Sequence, residues 1–139
     1  MNYPELIKNH LTRSAEVKQK MIGACMPAII SIVNALTNAF KKGNKLLICG
    51  NGGSAADAQH IAAEFVVRLS HNLMRPALPA VSLSTDTSIL TAGGNDIGFE
   101  NVFARQVQAL GTGGDLLIAI STSGNSGNIL RAVETARKK

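Results

Sequence analysis

Tryptophan is absent from this chain, tyrosine occurs once, and aromatic residues make up only 4% of its 139 residues. Single-stranded nucleic acid is held largely by stacking bases on aromatic rings, so no such platform is expected. Cysteine occurs only as Cys25 and Cys49, a separation that fits neither a metal site nor a redox pair. Two reduced, buried thiols are the expectation. No apolar run approaches the roughly 20 residues of a membrane span. The opening Met1-Asn2-Tyr3-Pro4-Glu5 lacks the basic-then-apolar order of a secretion signal. A cytoplasmic protein with no membrane partner is expected. The lysine pattern of a P-loop is missing as well, which excludes that mode of nucleoside triphosphate binding.

Hydrophobic residues, by contrast, reach 45%, which favours a packed domain over disorder. The formal net charge is +5 and the sequence pI about 9.6. The charges are scattered, and Arg137-Lys138-Lys139 inflates the total. That balance suits attraction of a small anion rather than a polynucleotide track, so no direct nucleic-acid partner is expected.

Apolar positions at helical spacing predict helix through residues 3–42, broken into two at Pro27 and closed by Lys41-Lys42-Gly43-Asn44. Lys45 to Cys49 is a short apolar run suited to a strand buried on both faces. The loop Gly50 to Ser54 follows, then a helix from Ala55 to about Leu69. The same order recurs: a strand at 115–120, a polar loop at 121–126 and a helix at 128–139. Between them lie a candidate strand at 80–84 and helices at 87–92 and 99–110. Alternating strands and helices predict an α/β fold, a three-layer parallel sheet with helices on both faces. Parallel crossovers place both polar loops at the same, carboxyl edge of the sheet. Residues 1–139 read as a single domain with an N-terminal helical extension (1–42). Three strands make a thin sheet with an uncovered edge, and the expectation is that C-terminal strands and a helix are lacking.

In Gly50-Asn51-Gly52-Gly53-Ser54 the glycines permit positive φ and close approach of a ligand. The following helix directs unpaired N–H groups and its positive dipole end into the same space, a setting for phosphate or a polar sugar. Ser54 is a candidate N-cap, with Asp57 in a capping-box position. A tight turn with no ligand is the alternative. The segment also fits a dinucleotide fingerprint, but the next acidic residue after Glu64 is Asp86, too far on for the ribose contact. Ser121-Thr122-Ser123-Gly124-Asn125-Ser126 offers four hydroxyls, more than capping uses, and can surround phosphate oxygens without a lysine. Two such loops on one edge predict a bipartite pocket for a polyol phosphate.

His60 and Glu64 are four residues apart, so they share a helix face, and Arg68 is expected to continue it. A surface ladder of charges explains that spacing equally. A catalytic zinc takes three protein ligands, so this pair alone completes no site. Asn95-Asp96 after Gly93-Gly94 reads as a polar turn. His10 and His71 show no partner pattern.

Together these segments resemble the SIS (sugar isomerase) domain, and most closely its phosphoheptose isomerase branch. The matching residues are Cys49 to Ser54 with Asp57-Ala58-Gln59-His60 and Glu64, then Gly94-Asn95-Asp96, then Ile120 to Ser126. The resemblance implies a flavodoxin-like sheet and a homotetramer with sites at subunit interfaces. The implied reaction converts D-sedoheptulose 7-phosphate to D-glycero-D-manno-heptose 7-phosphate, for activated heptose in lipopolysaccharide core or related surface glycans. It implies substrate contacts from Asn51, Gly52, Gly53, Asn95, Asp96, Ser121, Thr122, Ser123 and Ser126, beside Ser54 and Arg68 from the loop and helix face. It implies zinc ligation by His60 and Glu64, the catalytic pair, with Glu64 also moving a proton. Family members run on to a helix whose Gln and His complete the zinc site. This sequence stops before both, so weak or absent isomerase activity is expected of it alone. Two alternatives remain: a non-catalytic SIS protein that binds the replication initiator, and an isomerase or sensor for another sugar phosphate.

Overall fold

The computed structural model describes residues 1–72 and 74–139. It falls into two units, Met1–Thr37 and Asn38–Lys139. The first is helical from Tyr3 onward. Helix α1 runs unbroken from Tyr3 to Lys41 and contains Pro27, so the predicted break there is not found. Proline removes one backbone donor and crowds the carbonyl four residues back. Here that carbonyl belongs to Gly23. One lost hydrogen bond in a 39-residue helix does not end it. Residues 21–40 also carry no charge, and an 18-residue window of α1 reaches a mean hydropathy of 1.5. By length and composition that helix is apolar enough to span a bilayer, which corrects the expectation from uninterrupted apolar runs. Ser31, Asn34, Thr37 and Asn38 interrupt the run without adding charge.

The end of α1 is set as its sequence suggests. Gly43 takes φ +79°, its N–H reaches Phe40 O, and the Asn44 N–H reaches Ala39 O, both at 3.0 Å. This double closure needs a left-handed residue at Gly43.

Beyond it the chain alternates: β1 (Leu46–Gly50), α2 (Gly53–Val66), β2 (Ala80–Ser82), α3 (Thr87–Asp96), a short 3-10 turn (Phe99–Asn101), α4 (Val102–Leu110), β3 (Leu116–Ile120) and α5 (Gly127–Arg137). The sheet order is β2-β1-β3, with both pairings parallel. β1 is therefore central and buried at all five positions, which is why its residues do not alternate with polar ones. Alternate side chains of a strand face opposite sides. Leu47 and Cys49 join Leu83, Val102, Phe103, Val107, Ile129 and Ala132 in the core cluster with α4 and α5. Leu46 and Ile48 face the other way, toward the layer of α2, whose Ala58 and Ala62 are buried. The edge strand β3 is only half-buried along its length.

Burial pushes the Cys49 thiol up to about 12, so it stays a neutral core residue. Cys25 is only half-buried, which corrects half of the cysteine expectation. The helix expected at 87–92 continues through Gly93-Gly94 to Asp96, so Asn95-Asp96 is helix rather than turn. Glycine costs a helix about 1 kcal/mol, but a side chain on Gly93 would come within 3.1 Å of Val102. Packing of α3 against α4 overrides the local preference.

At the amino edge of the sheet, Asp115 ties the starts of β1 and β3 together. It accepts from the Lys45 N–H (2.9 Å), the Lys45 ammonium (2.6 Å), the Thr112 N–H (2.8 Å) and the Thr112 hydroxyl (2.9 Å). Its side chain is 5% exposed. Burial alone would raise its pKa, but the Lys45 and Thr112 donors together hold it at about 2. A carboxyl with a depressed folded-state pKa stabilises the fold above its unfolded value near 3.9, and that contribution is lost as pH falls through about 2. Asp115→Asn is therefore expected to cost on the order of 2 kcal/mol at pH 7 in urea unfolding. The difference from wild type should shrink steadily between pH 4 and pH 2; a pH-independent difference contradicts the linkage.

At the opposite edge β1 ends on Gly50, where a Cβ would lie 2.6 Å from the Ser54 carbonyl carbon and 2.8 Å from Ser54 Cβ. Those atoms belong to the first turn of α2 and cannot yield without moving the helix. Gly50→Ala should destabilise the protein by roughly 3 kcal/mol or more, read as a thermal midpoint many degrees lower.

Candidate functional site

All three strands being parallel, their carboxyl ends share one edge, and three loops leave it: Asn51-Gly52 after β1, Leu83 to Asp86 after β2, and Ser121 to Ser126 after β3. The chain leaves β1 toward β2 on one side, while β3 lies on the other. That divergence is the kind of switch point at which open parallel sheets bind ligands.

The glycine loop is tighter than expected. Gly52, at φ +54° and ψ −122°, is the N-cap of α2, so the helix begins at Gly53 and not after Ser54. Ser54 makes no side-chain cap and is 9% exposed, so the predicted Ser54–Asp57 capping box is not formed. A non-glycine residue resists that φ/ψ, and the two glycines leave the helix start bare of side chains. The Ser54 and Ala55 N–H groups donate to Asn51 O and Gly52 O at 3.0 Å, so among the described residues Gly53 carries the open N–H of the first turn.

The serine loop keeps its hydroxyls together. Ser121 Oγ lies 3.1 Å from Ser126 Oγ and 3.5 Å from Ser123 Oγ, while the Asn125 N–H donates to Ser123 Oγ at 3.2 Å. Gly124 turns the loop at φ +69°. Ser126 is the N-cap residue of α5, yet its side chain makes no capping bond. The loop is thus a ring of hydroxyls above an open helix start. Thr122 is exposed on it.

Two features join the loops and were not read from the sequence. Asn51 and Asn128 exchange amide hydrogen bonds in both directions, at 2.9 Å and 2.8 Å. Ser84, after β2, donates from its hydroxyl to Gly50 O at 3.2 Å. Neither pairing has a local signal, because each joins residues far apart in sequence. Asn128 merely looked like a helix residue, and Ser84 like the end of a strand.

His60 and Glu64 share a face of α2 as predicted, with His60 Nε2 at 3.4 Å from Glu64 Oε1. Glu64 Oε2 is buried and has no hydrogen-bond partner among the described residues. A buried carboxylate oxygen without a partner costs free energy unless something else binds it. Both residues line a cavity of about 420 Å³ with Ile61, Phe65, Leu69, Arg75 and Leu78. Arg75, unremarked in the sequence, donates to the Glu64 backbone carbonyl and to Pro76 O. From Gly53, His60 lies roughly 10 Å and Glu64 roughly 16 Å along the helix axis. Helical side chains lean back toward the N-terminus, so both reach toward the glycine loop.

Arg68 does not continue that face. α2 ends at Val66, and Arg68 turns to His71 Nδ1 at 3.1 Å and the Met74 sulfur at 3.8 Å. Asn95 and Asp96 hydrogen-bond each other at 2.7 Å, nine and ten residues beyond the α3 N-cap Asp86, and no bond joins them to either loop among the described residues.

A family model described as the SIS domain matches residues 9–139. The phosphoheptose isomerase of Chlorobaculum tepidum is 50% identical over 137 residues, 99% of this chain and 66% of that protein. The one from Citrifermentans bemidjiense is 55% identical over 133 residues, 96% of this chain and 68% of that protein. Two solved structures superpose on the fold. Phosphoheptose isomerase GmhA of Neisseria gonorrhoeae has a TM-score of 0.89 at 43% identity, over 99% of this chain and 70% of that one. A phosphoheptose isomerase from Francisella tularensis has a TM-score of 0.93 at 39% identity, over 99% of this chain and 71% of that one. The chain spans between 60% and 69% of the length of such curated relatives. With the family model matched over residues 9–139 and relatives 50% and 55% identical over nearly its whole length, the chain belongs to the SIS-domain family, in the phosphoheptose isomerase branch.

Proposed function

We propose that this chain supplies the sugar-phosphate pocket and the His60–Glu64 face of a phosphoheptose isomerase. The reaction interconverts D-sedoheptulose 7-phosphate and D-glycero-D-manno-heptose 7-phosphate. The observation that carries this reading is the buried Glu64 Oε2, unpartnered among the described residues, on the helix that the glycine loop opens. An aldose–ketose isomerisation moves a proton between C1 and C2 through an enediol, which requires a carboxylate or imidazole at the carbon and stabilisation of the oxygen. Glu64 is the group for the proton. The Ser121, Thr122, Ser123 and Ser126 hydroxyls, with the first N–H groups of α5, hold the phosphate. Anchoring the phosphate there orients the reacting carbons from a distance. The Gly52, Gly53 and Ser54 helix start takes the sugar oxygens beside Asn51, with Asn95 and Asp96 as further substrate contacts.

Zinc fits the donor set in part. His60 Nε2 and Glu64 offer a nitrogen and a carboxylate, and the orphaned Glu64 oxygen is what a cation would satisfy. Among the described residues no third His, Cys, Asp or Glu joins them, so a further ligand is needed from outside that set. Held there, zinc would supply Lewis acidity at the substrate oxygens. The α1 positions Leu6, Ile7, Leu11, Ile22, Ile29, Ile30 and Val33 are exposed apolar side chains, which supports burial of that helix between copies in a cytoplasmic homotetramer. The product would feed activated heptose into surface glycans.

In the protein that carries this chain, solvent deuterium should enter carbon-bound positions of sedoheptulose 7-phosphate during turnover. Glu64→Gln should slow that exchange by about 10²–10⁴-fold while sugar-phosphate affinity stays within a few-fold. Exchange at the wild-type rate in the variant would remove Glu64 from the chemistry.

A further inference from the structure

Asn128 is the second residue of α5 and only 5% exposed. Its Oδ1 accepts from the Ile129 N–H at 3.0 Å and from Asn51 Nδ2 at 2.9 Å, and its Nδ2 donates to Asn51 Oδ1 at 2.8 Å. The two ends of an amide look alike, but a backbone N–H can only donate. The Ile129 contact therefore fixes Oδ1 of Asn128 toward the helix start, and through it the orientation of Asn51. α5 does not need this side chain to begin, because Ser126 O already accepts from the Ile129 and Leu130 N–H groups at 3.0 Å. What the pair joins is the glycine loop after β1 and the serine loop after β3, residues 77 apart in sequence. Asn51 keeps a second amide hydrogen and a second carbonyl lone pair, taken by no other group among the described residues and free for a ligand.

We infer that Asn128 is a positioning residue that sets, through Asn51, the spacing and orientation of the two halves of the sugar-phosphate pocket. The inference rests on the sugar-phosphate reading of the two loops. An anion seated in the serine loop alone is indifferent to the link, whereas a polyol phosphate that touches both loops depends on it. The effect thus falls on the sugar end of the ligand.

Asn128→Ser tests this without adding charge beside the phosphate. Its hydroxyl is short and cannot exchange two hydrogen bonds with the Asn51 amide, so the link between the loops is lost. The Ser126 carbonyl still accepts from the Ile129 and Leu130 N–H groups, so α5 keeps its start. By calorimetry on the full chain, the dissociation constant for sedoheptulose 7-phosphate is expected to rise about tenfold, with that for inorganic phosphate within twofold. A thermal melt checks that the variant is folded, and Asn128→Thr takes the same titrations if it is not. Equal weakening of both ligands would mean that Asn128 only supports the α5 start and would overturn the inference, as would no change in either. If wild type binds neither ligand, the sugar-phosphate reading falls, and the inference with it.

Discussion

A five-residue strand without a polar side chain, Leu46–Gly50, determines where every functional group lies. Parallel neighbours on both sides satisfy its backbone, and helices cover both of its faces, so apolar residues can occupy all of its positions. Its register with β3 aligns Gly50 with Ile120, which brings the two loops to the same height on the same edge. At the other end Asp115 fixes that register with four donors from Lys45 and Thr112. The polar chemistry of the carboxyl edge thus depends on a salt-bridged clamp at the amino edge.

The strands and their order of loops were legible because they rest on short-range signals: an apolar run, then glycines or serines, then helical periodicity. The identity of the two polar loops was legible for the same reason, as was the turn at Gly43. The exceptions arise where tertiary packing or a single backbone bond decides. Pro27 reads as a break in the sequence, yet α1 runs through it and absorbs the missing bond. Asn95-Asp96 reads as a turn after Gly93-Gly94, yet α3 runs through both glycines to Asp96 and uses Gly93 to approach Val102. Arg68 was extrapolated along a helix that had already ended at Val66. Ser54 was assigned a cap that Gly52 takes with a backbone conformation open mainly to glycine.

The contacts that assemble the site were invisible for a different reason. Asn51–Asn128 and Ser84–Gly50 link segments that only the sheet brings together. Neither has a periodicity or spacing to betray it. The His60–Glu64 pair shows the opposite case: its spacing was plain, but only burial separates a surface ladder from a site. Glu64 keeps one carboxylate oxygen buried without a partner among the described residues, which a solvated ladder would not do.

The account stands on the two loops forming one pocket. Backbone amide resonances of the chain, followed during a titration with sedoheptulose 7-phosphate, test this most directly. The prediction is that signals from Gly50 to Ser54 and from Ser121 to Ser126 shift together along a single binding curve. Shifts confined to one loop, or two curves with different midpoints, would contradict it.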